Sequence, residues 1–433
     1  MINSVVAYTT YAWEHAIATL RIVSPIEQAG LKLIHGNEGD EIHPERVSSG
    51  DAVLIQREFP DYAQQYQEII TNARSEGKPV IYEIDDLLLE LPDEHPDQAI
   101  DYYTSALFQI LRAVLEADIV TTTTQELCDY YKQLNSNTFV LQNYLDDRTW
   151  KPRNLSVQTE KESIIIGYMG SSTHTPDLEL ITPVLNRLLT RYQERIRLQF
   201  WGAEPPSTIK EHLRVSWTPL LIKNYAEFAA YFTEQECDIF IAPLVDSFFN
   251  RCKSAVKYFE YSILGIPGVY SRIAPYQRVI TDGENGLLAS NSEEWEMHLR
   301  SLIDEPGRRF EIGAKAQNNV LENWCISQHA HQWITIYQQA FDVATDEDGK
   351  QQKNQLVQTH IRAAAQVREW QDQLVAVSRQ KDRQIKYLEA ELAAIKNSRS
   401  WKLLQFLRYS KSRHTQSESK EEPDNLDKDA PTS

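Results

Sequence analysis

The 433-residue sequence has few cysteines, no long apolar run and a shortage of basic residues, and each absence narrows the possible functions. Its four cysteines lie far apart without Cys-x-x-Cys spacing, which favours a reducing compartment and argues against structural zinc. The sequence contains no run of about 18 apolar residues, which is the length that a membrane-spanning helix needs. The opening residues, MINSVVAYTT, lack the charged and apolar regions of a signal peptide. We therefore expect a cytoplasmic protein.

The charge balance is acidic. Lysine and arginine number 44 against 62 aspartates and glutamates, a net charge of −18, which argues against a nucleic-acid-binding protein. The chain is also too long for one ordinary hydrophobic core, so its length predicts two domains and an appendage.

Short apolar runs alternate with helical stretches over residues 1–145. The predicted strands here are Val5–Thr10, Lys32–His35, Ala52–Arg57, Pro79–Asp85, Asp118–Thr123 and Phe139–Asn143. The predicted helices lie near 13–29, 60–76, 98–116 and 125–134. Because strands that alternate with helices form βαβ units, we expect a Rossmann-like, doubly wound parallel sheet covered on both faces.

A polar stretch over 146–162 is typical of a linker, and the same alternation restarts over 163–345. The run SIIIGYMG begins this second domain as a buried strand, and helices near 292–303, 306–322 and 326–345 end it. The sequence thus predicts an α/β protein with two doubly wound domains. Their cleft should lie at the carboxyl ends of the strands, where open α/β sheets bind ligands.

The composition changes towards the C-terminus. Apolar residues recur at three- and four-residue spacing over 349–398, which predicts a coiled coil; a single amphipathic helix folded back on the body is the alternative. The segment 396–414 carries six Lys or Arg and no acid among bulky apolar residues. It is typical of a helix at an anionic membrane surface, or of a self-associating end of the coiled coil. We assign 399–414 as a basic amphipathic segment and expect disorder over 415–433.

The most informative stretch is KSAVKYFEYSILGIPGVYS, from Lys253 to Ser271. We predict a helix that begins near Lys253, and in such a helix Lys253, Lys257 and Glu260 share one face. Gly265 suits the position just after a helix, and Pro267 prevents its continuation. By itself the stretch is also compatible with an amphipathic helix that carries an ordinary surface ion pair.

Together with TDGENGLLAS, this stretch resembles the donor-binding half of GT-B glycosyltransferases of the group 1, or family 4, type. The shared features are a lysine-rich helix start, a glutamate, a Gly-x-Pro stop and a D-G-x-N-G-L turn, here Asp282 to Leu287. The likeness is densest over 163–340. The run SRSWKLL is also similar to the tails of bacterial surface-polysaccharide transferases.

The resemblance implies transfer of a sugar from a nucleotide-diphosphate donor to a glycan or lipid-linked acceptor, with retained configuration and without a metal or a cofactor. Lys253 and Lys257 would hold the diphosphate and stabilise it as it leaves. Glu260 would accept hydrogen bonds from the ribose hydroxyls, and the two ammonium groups would keep its pKa low. Self-association through the coiled coil and contact with the inner face of the membrane through 396–414 would accompany this activity.

Two positions depart from the family pattern. Many relatives carry a first glutamate where this chain has Cys252. Many also carry an arginine and a lysine in the loop after the first strand of this domain, where this chain has Ser171, Ser172 and His174. Those residues can hydrogen-bond a phosphate or a sugar. A charged His174 could replace the missing cation, or it could equally cap the helix that follows.

The first domain offers candidates on the acceptor side. Asp85 and Asp86 end a predicted strand and would face the cleft. They could hold acceptor hydroxyls, act as a base or ligate a metal, or they could be turn and N-cap residues. Arg21 could also face the cleft, although an exposed helical arginine is commoner. The stretch Asn143–Asp146 takes the place of the family's N-G-x-D segment but lacks its glycine.

Two other functions fit the same architecture. A degenerate transferase could bind a glycan or organise partners through its coiled coil, and it would keep that function if Glu260 were replaced. A sugar-nucleotide epimerase would form its product without any acceptor.

Overall fold

In a computed structural model of the chain, the described residues are 2–93, 95–100, 102–104, 106–155, 161–344 and 347–397. The predicted basic segment 399–414 and the predicted disordered tail 415–433 lie outside these ranges, as do residues 156–160 of the predicted linker. The chain divides into two compact units, Met1–His360 and Ile361–Ser433.

The first unit begins with a six-stranded sheet. Its strands are β1 (Ser4–Tyr8), β2 (Lys32–His35), β3 (Ala52–Gln56), β4 (Val80–Glu83), β5 (Ile119–Thr122) and β6 (Thr138–Val140). All neighbours are parallel, in the order β2-β1-β3-β4-β5-β6. Val6 and Tyr8 enter one hydrophobic core and Val5 and Ala7 another, because successive side chains of a strand point to opposite faces. Both faces of this sheet are therefore covered.

A second six-stranded sheet follows. Its strands are β7 (Ile164–Gly170), β8 (Ile196–Gly202), β9 (Val215–Thr218), β10 (Ile239–Ala242), β11 (Gly268–Ser271) and β12 (Leu287–Ala289). They are parallel in the order β9-β8-β7-β10-β11-β12, which is a Rossmann-type arrangement. The direction of winding reverses between β7 and β10, so the loops after these two strands diverge and leave a crevice.

The helices alternate with the strands as predicted. In the first domain they are Ala16–Ala18, Ser24–Gln28, Ala63–Ser75, Pro96–Ala99, Leu107–Glu116 and Gln125–Lys132, with a π-helical turn at Thr19–Val23 and 3₁₀ turns at Pro44–Ser49 and Phe59–Asp61. In the second they are Thr175–Tyr192, Ser207–Lys210, Tyr225–Thr233, Phe248–Arg251, Val256–Ser262, Ala274–Gln277, Ser292–Asp304 and Pro306–Asn323, with 3₁₀ turns at Ser172–His174 and Gln193–Arg195. The C-terminal helices are Ile326–His329, His331–Ala344 and Glu347–Asn397. A short antiparallel pair joins Asn37–Glu38 to Glu41–Ile42.

The predicted α/β class with two doubly wound domains is confirmed. The predicted stop after the lysine-rich helix is also present. Gly265 follows that helix with a φ of 68°, a left-handed conformation that glycine adopts without strain, and Pro267 immediately precedes β11.

The predicted helix near 326–345 packs on the first domain and not on the second. We predicted that a helix near 326–345 closes the second domain. Instead Trp333, Tyr337 and Ala340 share a hydrophobic core with β1 and β3 of the first domain. The chain therefore passes between the domains twice, and the two crossings pair where Leu145 hydrogen-bonds to Trp324 and Ile326.

The predicted polar linker over 146–162 is, in its first part, a docked segment. Trp150 is 1% exposed and belongs to the hydrophobic core of the second domain. Arg153 donates to the backbone carbonyls of Thr233 and Gln235. A single large aromatic residue in a polar stretch is a weak signal, which is why the docking was not predicted.

The C-terminal helix Glu347–Asn397 is continuous, as predicted. Near its start Val357 is buried, and the His360 ring lies 2.9 Å from the carbonyl oxygen of Phe108. Beyond Ile361, the helix leaves Trp370 60% and Leu388 54% exposed. Whether these apolar residues form a coiled coil stays a prediction. No helix within the described ranges is both long enough and apolar enough to cross a membrane.

Replacing Trp150 by alanine is expected to lower the free energy of unfolding of the second domain by about 3–5 kcal/mol, because it empties a packed aromatic site. Urea unfolding followed by circular dichroism measures the loss. Trp217→Ala is the matched control, since Trp217 is 41% exposed, and it should cost less than about 1 kcal/mol. Equal losses in the two variants would contradict the docking of the linker.

Candidate active site

The candidate site lies at the crevice between β7 and β10. The loop after β7 contains the turn Ser172–His174, which leads into the helix Thr175–Tyr192. The loop after β10 leads into the short helix Phe248–Arg251. The lysine-rich stretch follows directly, so the topology brings both predicted donor-binding segments to one place.

Lys257 and His174 meet in this crevice. Lys257 Nζ lies 3.1 Å from His174 Nε2, and His174 Nδ1 lies 2.8 Å from Asp177 Oδ2. An ammonium group can only donate, so Nε2 accepts and Nδ1 carries the proton that is donated to Asp177. Burial and the nearby charge of Lys257 lower the pKa of His174 to about 3. His174 is therefore neutral, and the expectation that it replaces a missing cation is wrong.

The alternative role of His174 as a helix cap is not supported either. His174 is the residue before the helix Thr175–Tyr192, yet its side chain makes no capping hydrogen bond to that helix. Its partners are Asp177 and Lys257 instead. His174 thus holds the lysine in place from the loop after β7.

Asp177 joins the two loops, and the sequence prediction missed it. Its Oδ1 accepts from the backbone N–H of Val245 at 2.8 Å and from Asn250 Nδ2 at 3.1 Å. Burial alone would raise the pKa of Asp177, but the hydrogen bonds from His174 and Val245 leave it below the usual value. The available signal was an acidic residue three positions after His174, in the first turn of a helix that borders the crevice.

Lys257 is poised to respond to an anion. Burial, followed by the charge of Lys253, lowers the pKa of Lys257 to about 8. A bound phosphate would offset both causes and keep the ammonium group protonated.

Lys253 does not share a helical face with the other two residues, contrary to the prediction. The helix begins at Val256, and Lys253 lies in the turn before it. Its Nζ is 4.5 Å from the ring centre of Phe249. Lys253 also lines a cavity of about 250 Å³, together with His95, Thr173, His174, Asp177 and Phe249. Because His95 belongs to the first domain, this cavity lies between the domains.

The turn that carries Lys253 is held from the first domain. Thr124 Oγ1 donates to the carbonyl oxygen of Cys252 at 2.8 Å, and Asn143 Nδ2 donates to Ser254 Oγ at 2.8 Å. These two hydrogen bonds flank Lys253 on either side. Asn143, the first residue of the stretch that takes the place of the family's N-G-x-D segment, therefore contributes directly to the geometry of the site.

Cys252 occupies the position of the family's first glutamate. Its side chain is fully buried and packs, like that of Phe249, in a hydrophobic core of the first domain. Burial, with the charges of Asp86 and Glu126, raises the pKa of the thiol to about 12. Cys252 is thus an interdomain packing residue and not a reactive thiolate.

Glu260 is buried, at 4% exposure, one turn along the helix from Lys257. Its Oε1 accepts from the hydroxyl of Tyr225 at 2.9 Å. Burial raises the pKa of Glu260 to about 7, although Tyr225 and Lys257 act in the opposite direction. The expectation of a low pKa is therefore wrong, because desolvation outweighs the ammonium charge.

The two predicted serines lie in the loop after β7. The hydroxyl of Ser171 is exposed and lies 2.6 Å from that of Thr173. Ser172 begins the turn Ser172–His174.

The D-G-x-N-G-L turn has its side chains engaged in its own backbone. Asp282 Oδ1 accepts from the N–H of Leu288, and Asn285 Oδ1 accepts from the N–H of Thr281.

On the acceptor side, the two predicted aspartates have different surroundings. Asp85 Oδ1 accepts from Arg57 Nη1 at 2.7 Å, whereas Asp86 Oδ1 accepts from the N–H of the next residue, Leu87. Asp86 is therefore the turn residue that the sequence left open as an alternative. Asp85 belongs to a cluster at the carboxyl ends of β3 and β4.

Arg57 is the centre of that cluster, and sequence reasoning missed it. Its φ of 47° is unusual for a residue other than glycine. Its guanidinium also contacts Glu58 at 3.2 Å and donates to the hydroxyl of Tyr103 at 2.9 Å. Strained backbone of this kind persists only where surrounding contacts hold it, and it is frequent at functional sites.

Arg21 is fully buried rather than exposed. Its Nε donates to Glu83 Oε1 at 2.7 Å, and its Nη1 donates to Asn143 Oδ1 at 3.0 Å. Arg21 thus acts indirectly, by holding in place Asn143, which hydrogen-bonds to Ser254.

In the described part of the chain, no group of three His, Cys, Asp or Glu side chains is arranged to hold a metal ion.

Comparison with known proteins bears on part of the sequence and on the fold. Residues 185–335 match the family model described as "Glycosyl transferase-like". No curated protein gave a match.

Solved structures with the same fold cover most of the chain. Sucrose-phosphate synthase from Thermosynechococcus elongatus aligns with a TM-score of 0.56 at 11% identity, over 78% of this chain and 99% of that one. Trehalose-6-phosphate synthase OtsA aligns with a TM-score of 0.53 at 11% identity, over 78% and 99%. Anabaena HepE in complex with UDP-glucose aligns with a TM-score of 0.50 at 13% identity, over 79% and 99%.

The match to TarM, at 15% identity and a TM-score of 0.49, spans only about half of that protein, 54% of its chain. The resemblance seen in the sequence is confirmed: the chain has the GT-B fold of glycosyltransferases, and its residues 185–335 match a glycosyl transferase-like family.

Proposed function

We propose that the protein is a glycosyltransferase that moves a sugar from a nucleoside-diphosphate donor to a glycan or lipid-linked acceptor in cell-surface polysaccharide biosynthesis. The observation that supports it most is the convergence of Lys257, His174 and Lys253 on the crevice between β7 and β10. Glu260 lies one helical turn behind Lys257. HepE, a protein of the same fold, was solved with UDP-glucose, which supports a nucleotide sugar as the donor class.

In this proposal, Lys257 and Lys253 bind the diphosphate. His174 orients Lys257, and the exposed hydroxyl of Ser171 and the turn at Ser172 add hydrogen-bonding groups next to the N-terminus of an 18-residue helix. Such a terminus favours anions through its free N–H groups and its dipole. The same positive charges would stabilise the diphosphate as it leaves, so we propose that the reaction uses neither a metal nor a further cofactor.

Glu260 binds the ribose in this proposal. Tyr225 occupies Oε1, and Oε2 would accept from a ribose hydroxyl. The acceptor would approach from the first domain, where Asp85 is held by Arg57. For a retaining transfer, the acceptor hydroxyl attacks the sugar on the face that the diphosphate leaves, and the departing diphosphate takes up the hydroxyl proton.

Glu260→Gln is expected to weaken binding of the preferred nucleoside diphosphate by about tenfold to a hundredfold, since a hydrogen bond to a charged acceptor is replaced by a neutral one. The probe is whichever of UDP, GDP and ADP most raises the melting temperature of the unmodified chain. Calorimetry then compares it with its 2′-deoxy counterpart. The unmodified chain should prefer the ribose form, and Glu260→Gln should lose that preference.

Glu311→Gln serves as the control, because Glu311 is exposed and pairs with Lys315 on another helix, Pro306–Asn323. It should bind both nucleotides like the unmodified chain. An undiminished preference for ribose in Glu260→Gln would refute the proposed role of Glu260.

Nucleotide binding should be strongest between about pH 7 and pH 8. Below its pKa of about 7, Glu260 is protonated and accepts ribose less well. Above its pKa of about 8, Lys257 loses the charge that attracts the diphosphate. Dissociation constants measured from pH 5.5 to 9.5 test this profile, and Lys257→Arg should remove the alkaline limb because arginine stays charged. An alkaline limb that persists in Lys257→Arg would contradict the assignment.

The localisation we propose is cytoplasmic, with the segment 396–414 touching the inner face of the membrane. Most of that segment lies outside the described residues, so its composition alone supports this part.

A second candidate function, assembly through the C-terminal helix, is favoured by the uncovered apolar side chains of Trp370, Leu388 and Leu392. If they pair with a second copy of the chain, sedimentation velocity should show a dimer or higher oligomer. Leu388→Asp combined with Leu392→Asp should yield monomers, whereas Glu389→Ala should leave the oligomer intact. A monomeric unmodified chain would exclude this function.

A further inference from the structure

Tyr225 stands between the linker and Glu260. It begins the helix Tyr225–Thr233 and is 3% exposed. The indole N–H of Trp150 donates to its hydroxyl oxygen at 2.9 Å, and the hydroxyl donates to Glu260 Oε1 at 2.9 Å. An indole can only donate, so the single phenolic proton is directed to the carboxylate. The two hydrogen bonds that connect Trp150, Tyr225 and Glu260 therefore both donate towards Glu260.

The backbone of the same residue reaches the first domain. The N–H of Tyr225 donates to the carbonyl oxygen of Glu14 at 2.7 Å. The neighbouring Asn224 forms an isolated antiparallel bridge with His15. Glu14 and His15 lie in the loop between β1 and the helix Ala16–Ala18, at the carboxyl end of the first sheet. One residue therefore contacts the first domain, the linker and the proposed ribose carboxylate.

We infer that Tyr225 is a positioning residue for donor binding, which orients the carboxylate of Glu260 and couples that orientation to the docking of Trp150 and of the loop at Glu14. This inference rests on the proposed role of Glu260 in binding the ribose. Tyr225 does not touch the reacting atoms; it acts through Glu260.

The hydrogen bond from Tyr225 matters because the carboxylate of Glu260 is buried. Glu260 is desolvated, and the groups that favour its ionised form are Tyr225 and Lys257. Burial, and after it the charge of Glu260, raises the pKa of Tyr225 well above its usual value, and Asp146 acts in the same direction, so the phenol keeps its proton. Removing the phenol hydroxyl takes away one of the two groups that stabilise the carboxylate. The carboxylate would then hold its proton to a higher pH.

A purely structural role for Tyr225 makes a different prediction. Its ring packs edge-on against Trp150, with ring centres 6.2 Å apart, and near Phe228. Phenylalanine keeps that packing and removes only the hydroxyl. If packing were the whole role, Tyr225→Phe would leave the pH dependence of binding unchanged.

The experiment measures the dissociation constant of UDP, or of whichever nucleoside diphosphate stabilises the chain most, from pH 5.5 to 9.5. In Tyr225→Phe we expect the acid limb to move up by about one pH unit and binding at pH 7 to weaken about fivefold. Tyr66→Phe is the matched control, because its hydroxyl donates to the carboxylate of Glu116 at 3.0 Å in the first domain. That variant should leave the limb in place.

The Glu260→Gln variant distinguishes a failure of the inference about Tyr225 from a failure of the proposed role of Glu260. An acid limb that disappears in Glu260→Gln but does not move in Tyr225→Phe overturns the inference and leaves the donor site standing. Unchanged binding and an unchanged limb in Glu260→Gln overturn both. If Tyr225→Phe does not fold, Trp150→Phe, which removes the indole donor and keeps an aromatic ring, takes its place: a smaller upward shift supports the inference, and no shift overturns it.

Discussion

Burial of two opposite charges on one short helix governs the behaviour of the site. Lys257 and Glu260 lie one turn apart, yet in the described part of the chain no ion pair joins them; each has a neutral partner instead, His174 and Tyr225. Desolvation therefore dominates, lowering the pKa of the lysine to about 8 and raising that of the glutamate to about 7. In the proposed donor complex both groups would respond to the ligand, because the diphosphate would place negative charge next to Lys257 and the ribose would donate hydrogen bonds to Glu260.

The charged residues are also held from outside their own domain. Thr124 and Asn143 of the first domain flank Lys253, and Arg21 fixes Asn143 from within a buried network that includes Glu83. The turn that carries Lys253 is consequently shaped by both domains. In a protein whose ligand lies between two domains, such contacts make the geometry of one half depend on the presence of the other.

Local patterns in the sequence predicted the local structure well. Apolar runs predicted the six strands of the first sheet and the first strand of the second near their observed positions. Gly265 with Pro267 marked the end of the lysine-rich helix, because backbone conformation at those residues is a local property. The chain of contacts from Trp150 through Tyr225 to Glu260 had no such signal. Its members are 75 and 35 residues apart, and nothing in their spacing indicates contact. The charge expected of His174 was wrong for a related reason, since solvent exposure is a tertiary property.

The cysteine at position 252 can be understood from its surroundings. The side chain packs into the first domain, and the charges that raise the pKa of its thiol, after burial, are those of Asp86, Glu126 and Glu90. A glutamate here would lose its hydration and lie near three acidic groups, which the single positive charge of Arg278 opposes only in part, so its charge would be disfavoured. A small, neutral cysteine avoids that cost while filling the apolar space. The departure from the family pattern at this position therefore follows from how the two domains meet.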